Sequence, residues 1–549
     1  MKNKIVVLAA ALFLSCGFLL HAQVDTRGTD FWIAFGDNAA STSMQIRIAG
    51  AGQAANGHIH FTALGTSVPF SVPAHGVFTY VLTEAQRGAV ANMATGVSNR
   101  SVRITSSVPV MVYALNQQSA TTDATNVLPV PTLGTDYFHI SYRPLNVDRY
   151  LVVAIENATQ VFHDGALVAT LNAGEVYARS GANTEDMTGV HITASEPVAF
   201  FNVNSGPQVP FGTRFVDRQF QQLPPVNTWG RNFFVPVTHR GVERVRIVAT
   251  QDDTDITQVG GVVVSDATGS QNRLTNLNTG QWVELEIRLA QRGAFIQANN
   301  PVGVCAFMVG TEFPGLYVAP GDPSTGWIPA IEQMIPSATI APFIPVASTN
   351  LNQHFALIVV RTDAKNLTYM AVGGGTLVPI SGGTWYDHPT AGYSFYILQL
   401  ANDANITYTF SNPEGLLVMG YGIGGPESYY YVAGSAFRTL DAAFFANDIH
   451  NQELAANVMH TNQINFRAEI QGAMSSNAGH IRWLIDGAEE TSARDQLTWS
   501  RNLPNGTYVV VLEVLMDDNI TVRRVEGTLI IATATIKVNP HINKRVTED

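Results

Sequence analysis

The chain holds only two cysteines in 549 residues, Cys16 and Cys305, too few for a disulfide framework. Charge is also scarce: Asp, Glu, Lys and Arg together make up 13%, about half the share of an ordinary soluble domain. The 31 basic residues are outnumbered by 43 acidic ones and form no cluster. That argues against nucleic acid as a partner, because phosphate binding draws on concentrated Lys and Arg. Beyond the first twenty residues no apolar run reaches the ~18 residues that a membrane-crossing helix needs, so no integral membrane segment is expected. Helical periodicity is missing except at residues 440–458, where Ala, Leu and Phe cluster without proline. There is no Gly-x-Ser-x-Gly elbow, His-Glu-x-x-His helix or Gly-Lys-[Ser/Thr] phosphate loop. The low charge does not mean disorder, since 46% of the residues are hydrophobic and can bury enough surface to fold.

What is present begins with a leader. Lys2 and Lys4 precede an apolar run from Ile5 to Leu20, and Leu20-His21-Ala22 offers a cleavage tripeptide. Residues 1–22 therefore read as a secretory signal peptide, and the protein is expected to be secreted or held at the cell surface. A rival reading, lipidation of Cys16, fits less well because the apolar run continues past it. Once the leader is removed Cys305 has no intramolecular partner. It lies in an apolar strand-like run over residues 301–309, where a thiol serves as a small buried hydrophobe more often than as a nucleophile.

Four segments repeat the same cues. Each holds an apolar residue five positions before a proline, followed by a second apolar run: Ile104 and Pro109, Ile192 and Pro197, Ile296 and Pro301, Tyr408 and Pro413. Proline cannot donate to a central ladder, so it marks where pairing stops. Upstream of each step a Gly precedes an aromatic, at Gly76/Phe78, Gly174/Tyr177, Gly280/Trp282 and Gly383/Trp385, as a turn that opens a strand. Further upstream, residues 152–162, 246–257 and 357–368 read as hairpins around Asn/Asp turns. A Leu/Ile-Pro connector recurs at Leu128-Pro129, Leu223-Pro224 and Ile335-Pro336.

The prolines lie 88, 104 and 112 residues apart, too far for one propeller blade of ~40–45 residues. A unit of six to eight short strands suits that spacing, which favours tandem β-sandwich-like repeats; a β-propeller with two blades per unit is the alternative. The fold class is all-β. The expected layout is a four-repeat region over 23–437 (28–135, 136–228, 229–340 and 341–437), a linker or short helix at 438–460, an Ig-like sandwich at 461–538 and a tail at 539–549. The last domain is read from alternating strands around Trp483.

Two resemblances follow from particular residues. Trp483-x-Ile-Asp-Gly487 and Leu503-Pro-x-Gly-Thr-Tyr508 resemble elements of polycystic-kidney-disease-type and related Ig-like modules. Arg27-Gly-Thr-Asp-Phe-Trp-Ile-Ala-Phe-Gly36, with the repeated Ile-x-x-Ser-x-Pro-Val strands and Leu-Pro connectors, resembles the IgGFc-binding protein N-terminal domain family from about Gly28 to Gly434. Members of that family include part of a mucus protein named for binding the Fc portion of IgG and many secreted bacterial proteins. The resemblance implies a secreted or surface-held binding protein, with an extracellular glycoprotein or immunoglobulin as partner. It carries no short motif from which contact residues could be assigned.

The chemistry-bearing residues have plain structural readings beside the functional ones. His58 and His60 share one face of a strand, a spacing zinc can use, but no third ligand is in view. Asp252, Asp253 and Asp255 could ligate calcium, yet they occupy a recurring turn position and do not match the calcium-loop spacing. Tyr429, Tyr430 and Tyr431 are a candidate contact patch, since tyrosines are enriched in binding sites, although alternation sends at least one of them to the core. No catalytic, cofactor or metal residue is assigned, and the binding residues are not located. The reading is an exported non-enzymatic binding or adhesion protein, with loops at repeat edges carrying the contacts. A secreted carbohydrate-active hydrolase, built on an acidic pair in a cleft, and a cell-envelope subunit are the alternatives.

Overall fold

A computed structural model describes residues 25–36, 43–118, 121–264, 270–318, 320–345, 350–425, 427–437, 442–470, 480–515 and 521–532. The leader and the tail beyond 532 lie outside the described residues. The fold is all-β; among the described residues one α-helix occurs, Glu84–Val90, started by a Thr83/Gln86 capping box.

Each repeat is organised by one long strand that changes partners at its proline. In the first, Ser101–Gln118 pairs before Pro109 with Gly28–Gly36 and Ala55–Phe61, and after it with Ser43–Gly50 and Thr121–Val127. His191–Ser205 does the same around Pro197, and Tyr408–Gly424 around Pro413. In the third repeat the step divides the strand into Ala294–Ala298 and Val302–Met308, which lie in separate sheets. The proline thus sits where one pair of partners ends and the next begins, and register shifts there mark the bend.

This geometry corrects three local readings. The segments around Asn157, Asp253 and Asp363 are not hairpins. Asp148–Ala154 and Thr159–His163 pair with opposite halves of the long strand, as do Val242–Ala249 and Ile256–Val259. The turns between them are arches from one sheet to the other, and turn residues between two apolar runs look the same in either case. In the fourth repeat Gly392/Tyr393 opens the strand that pairs with Leu351–Arg361, while Gly383/Trp385 opens an added edge strand, Thr384–Asp387. The third connector is Ile328-Pro329, leading into the 3-10 turn Ile331–Gln333 in the manner of Val130–Thr132 and Val226–Thr228. Ile335-Pro336 instead begins the strand Ile335–Ile340.

The run after each proline is continuously apolar because both of its faces are buried. In the first repeat Val112 and Ala114 join the core shared with the second unit, while Met111, Tyr113 and Leu115 join the core shared with the fourth. Ala199 and Phe201 alternate with Phe200, and Val304, Ala306 and Met308 alternate with Cys305 and Phe307, between successive cores in the same way. Four cores therefore join units one to two, two to three, three to four and four to one. The chain start completes the circuit: Asp25 bridges Ala436, and the Thr26 hydroxyl donates to the Ala433 carbonyl at 3.3 Å. In units one, two and four the long strand joins two halves into one bent eight-stranded sheet, and in unit three the halves are separate sheets. The post-proline half of each packs between its neighbours as a propeller blade does. The last strand of each unit, Thr121–Val127, Arg218–Leu223, Thr325–Trp327 and Ser428–Gly434, faces the centre and packs against its two neighbours.

The C-terminal sandwich begins earlier than the sequence suggests. Ala442–Ala446 is a strand and Asn451–Ala456 a 3-10 helix, so the apolar stretch read as a linker already supplies Phe444, Ala446 and Leu454 to the core. Two sheets of four and five strands enclose Trp483, whose indole donates to the Gln496 carbonyl at 3.0 Å. The Tyr508 hydroxyl bonds back to the Pro504 carbonyl, as the tyrosine corner of Ig-like sandwiches does.

Candidate binding face

The centre of the ring is lined by buried polar side chains. Asp123 is fully buried, and its carboxylate accepts the backbone N–H of Ala124 at 2.8 Å and of Phe220, on the neighbouring inner strand, at 3.0 Å. Burial pushes its pKa well up, and the backbone N–H groups around it, those of Phe220 and Ala124 first, oppose that shift. Asn126 donates to the Val432 carbonyl, Gln222 accepts from Leu128 N–H, and Asp217 accepts from Thr122 N–H at 2.7 Å. Asp123, Asp217, Asp322 and Glu427 are at most 1% exposed. Among the described residues these carboxylates are engaged by protein groups, Asp322 by the Thr311 hydroxyl and Glu427 by the Gln117 amide.

The residues singled out in the sequence fall elsewhere. His58 and His60 point outward with ring centroids 5.7 Å apart, and His60 meets the Thr105 hydroxyl. Among the described residues no group of three His, Cys, Asp or Glu is arranged to hold a metal ion. Asp252 accepts the Thr279 N–H and hydroxyl, and Asp255 accepts the Asn276 N–H; both carboxylates staple the arch to a neighbouring loop. Cys305 is buried against the second and third units, which pushes its thiol pKa up and away from reactivity. The tyrosine run is not a contact surface. Tyr429 and Tyr431 enter the core between units four and one, Tyr430 enters the core between units three and four, and none is more than 1% exposed. Both faces of that strand are core because it lines the ring centre.

Exposed aromatic surface gathers instead on loops of the second and third units. The segments between Ser205 and Arg218 and between Met308 and Thr325 precede inner strands and are far longer than their counterparts in units one and four. Arg143 lies over the Phe211 ring at 3.9 Å, and Leu145 N–H bonds the Gly206 carbonyl. Arg214 reaches Glu312 at 3.3 Å, and Gly310 N–H bonds the Val209 carbonyl, which ties the two loops together. Tyr317 N–H is anchored on the Arg240 carbonyl while its side chain stays 63% exposed; Phe211 and Leu145 are also exposed. Below them Arg240 is buried and spans the carbonyls of Val309 and Gly321. These two tied loops and the segment at Arg143–Leu145 thus present Arg, Phe, Tyr and Leu side chains on a hydrogen-bonded backbone. Aromatic and arginine side chains supply most of the energy at protein interfaces. The sequence signal was the extra length between the post-proline run and the next connector in repeats two and three, filled by Gly/Pro-rich segments with single aromatics.

A family profile described as IgGFc binding protein matches residues 20–183 and 123–422. The IgGFc-binding protein of Homo sapiens is 25% identical over 348 residues, covering 60% of this chain and 6% of that protein. The chain thus spans only a small part of that relative's length. Among solved structures, the fibronectin(III)-like modules of Clostridium thermocellum CbhA align at 11% identity, covering 37% of this chain and 90% of theirs, with a TM-score of 0.14. Invasin, a bacterial integrin-binding protein, aligns at 10% identity over 77% of this chain and 75% of its own, with a TM-score of 0.15. Scores this low establish no shared overall fold.

Proposed function

The chain belongs to the IgGFc-binding protein family, and from that premise we propose that it is an exported, non-enzymatic binding protein that recognises an extracellular glycoprotein, immunoglobulin included. The observation that carries the reading is the Arg143/Phe211/Arg214/Tyr317 face on a closed β ring. Rigid scaffolds present binding residues on loops, and loops already held by the ring lose little freedom on association. The Lys2/Lys4 leader supports export.

The test is capture by immobilised residues 23–549, with IgG Fc and purified mucin glycoproteins as probes, beside a Phe211→Ala/Arg214→Ala/Tyr317→Ala variant. Binding to one probe, weakened at least tenfold in a variant that melts normally, supports the reading. Equal binding by both chains removes this face from it, and release of products from polysaccharide by the folded chain overturns the non-enzymatic assignment.

A further inference from the structure

The strand Ala55–Phe61 of the first unit carries two histidines on its outer face. It is held on both sides, by Thr66–Val72 and by the pre-proline half of Ser101–Gln118, so the pleat fixes how successive side chains project. Ile59 turns into the core between the first two units, while His58 is exposed and His60 half-buried on the opposite side. Their ring centroids lie 5.7 Å apart, with 31° between the planes. An imidazole nitrogen takes a transition metal at about 2.0–2.1 Å, which puts each ring centre roughly 3 Å from the ion and two ring centres at most roughly 6 Å apart. The observed separation falls inside that limit, so one ion can sit between the rings without movement of the strand.

The neighbours decide what kind of centre this can be. Thr105 stands opposite His58 and Arg103 opposite His60, and the Thr105 hydroxyl meets the His60 Nε2 at 3.1 Å. A proton on Nε2 directed at that hydroxyl leaves Nδ1 with the lone pair a metal needs, the arrangement by which outer groups orient ligating histidines. Asp30, on the next strand, is held by Arg103 at 2.6 Å, and Arg103 lies over the Trp32 ring at 5.2 Å. Among the described residues no third His, Cys, Asp or Glu joins the pair. A structural zinc centre takes four protein ligands and does not fit here. Two imidazoles beside open positions suit ions that accept nitrogen and water together, and a given nitrogen site holds Cu²⁺ more tightly than the other divalent ions of its row.

We propose that His58 and His60 form an open chelate for a divalent late first-row transition ion, Cu²⁺ above Ni²⁺ and Zn²⁺, with water in the remaining positions. The chelate lies on the first unit, whereas the aromatic loops belong to the second and third, so the two sites can fail separately.

The experiment is calorimetric titration of residues 23–549, purified without a histidine tag, with Cu²⁺, Ni²⁺ and Zn²⁺ at neutral pH, and electron paramagnetic resonance of the Cu²⁺ complex. His58→Ala, His60→Ala and, as a control, His460→Ala at an exposed position of the C-terminal sandwich are measured alongside. The His58 side chain is exposed, so His58→Ala should keep the fold, which circular dichroism verifies. The expected result is a single saturable Cu²⁺ site with splitting from two imidazole nitrogens, weakened at least tenfold by either His58→Ala or His60→Ala and unchanged by His460→Ala, with Ni²⁺ and Zn²⁺ bound more weakly. No saturation by millimolar ion, a spectrum with one imidazole nitrogen, or Cu²⁺ affinity unchanged in His58→Ala would each overturn the proposal.

Discussion

Asp123 lies at the ring centre, where its buried carboxylate ties two inner strands together through the N–H groups of Ala124 and Phe220. Asp123→Asn presents an amide N–H₂ to N–H donors, and the expected loss is about 2–4 kcal/mol of stability, the range for an unsatisfied buried network, read as a lowered melting temperature. Arg246 does comparable work between units two and three. It lies between the Tyr142 and Trp282 rings at 3.9 and 4.0 Å and pairs with Asp186 at 2.7 Å and Glu284 at 3.0 Å, fully buried. Arg246→Ala removes the cation from that cluster and should cost about 3–5 kcal/mol in denaturant unfolding. Glu243 adds a pH dependence. Burial pushes its pKa up to about 7 from the ordinary 4.5. The folded chain therefore holds this proton more tightly than the unfolded one, and the resulting stabilisation is full below pH 4.5 and lost as pH rises through 7. Asp322, pushed up to about 6 from 3.8, contributes in an overlapping window. Stability should decline from about pH 4 to 7, and Glu243→Gln should make that decline shallower in denaturation curves; an unchanged slope would contradict the assignment.

Among elements, the junctions between units are set by close approach. A Cβ on Gly28 would lie 2.2 Å from the Pro129 Cβ, and one on Gly134 would lie 2.7 Å from the Pro225 Cβ. Gly28→Ala should therefore force the first strand off its connector and cost about 1–3 kcal/mol, measurable by thermal melting. Much at this scale was legible. The proline steps located each long strand, and the Gly-aromatic pairs located strand starts in three repeats. Asp486-Gly487 closes a tight turn with both residues at positive φ. What was hidden is partner choice. An apolar run, a polar turn and a second apolar run fit a hairpin or an arch equally, and only the change of partners at the proline distinguishes them. The stretch over residues 440–458, read as a linker or short helix, holds the 3-10 helix Asn451–Ala456 and also the strand Ala442–Ala446, whose Phe444 packs edge-on against Trp483.

For the whole molecule, closure explains why the sequence looked like a string of separate sandwiches. Spacing counts residues per unit and carries no information on whether the last unit meets the first. The continuous apolar runs were the available clue, because strands buried on both faces need a neighbour on each side. The same closure misled the reading of Tyr429–Tyr431, which would have had one free face in an open array. Since Asp25 lies beside Ala436, a permuted ring joining residues 437 and 25, with new ends in the exposed turn at Asp252-Asp253, should fold to the same circular dichroism spectrum; an unfolded permutant would contradict closure. The binding face was the least legible part, because Arg143, Phe211, Arg214 and Tyr317 come from three loops that only the ring brings together. The most direct test of the account is equilibrium binding of IgG Fc and purified mucins to residues 23–549 and to the Phe211→Ala/Arg214→Ala/Tyr317→Ala variant, at matched melting temperature. The account predicts saturable binding of one of them, weakened at least tenfold in the variant. Binding that is equal in both chains, or absent from both, would contradict it.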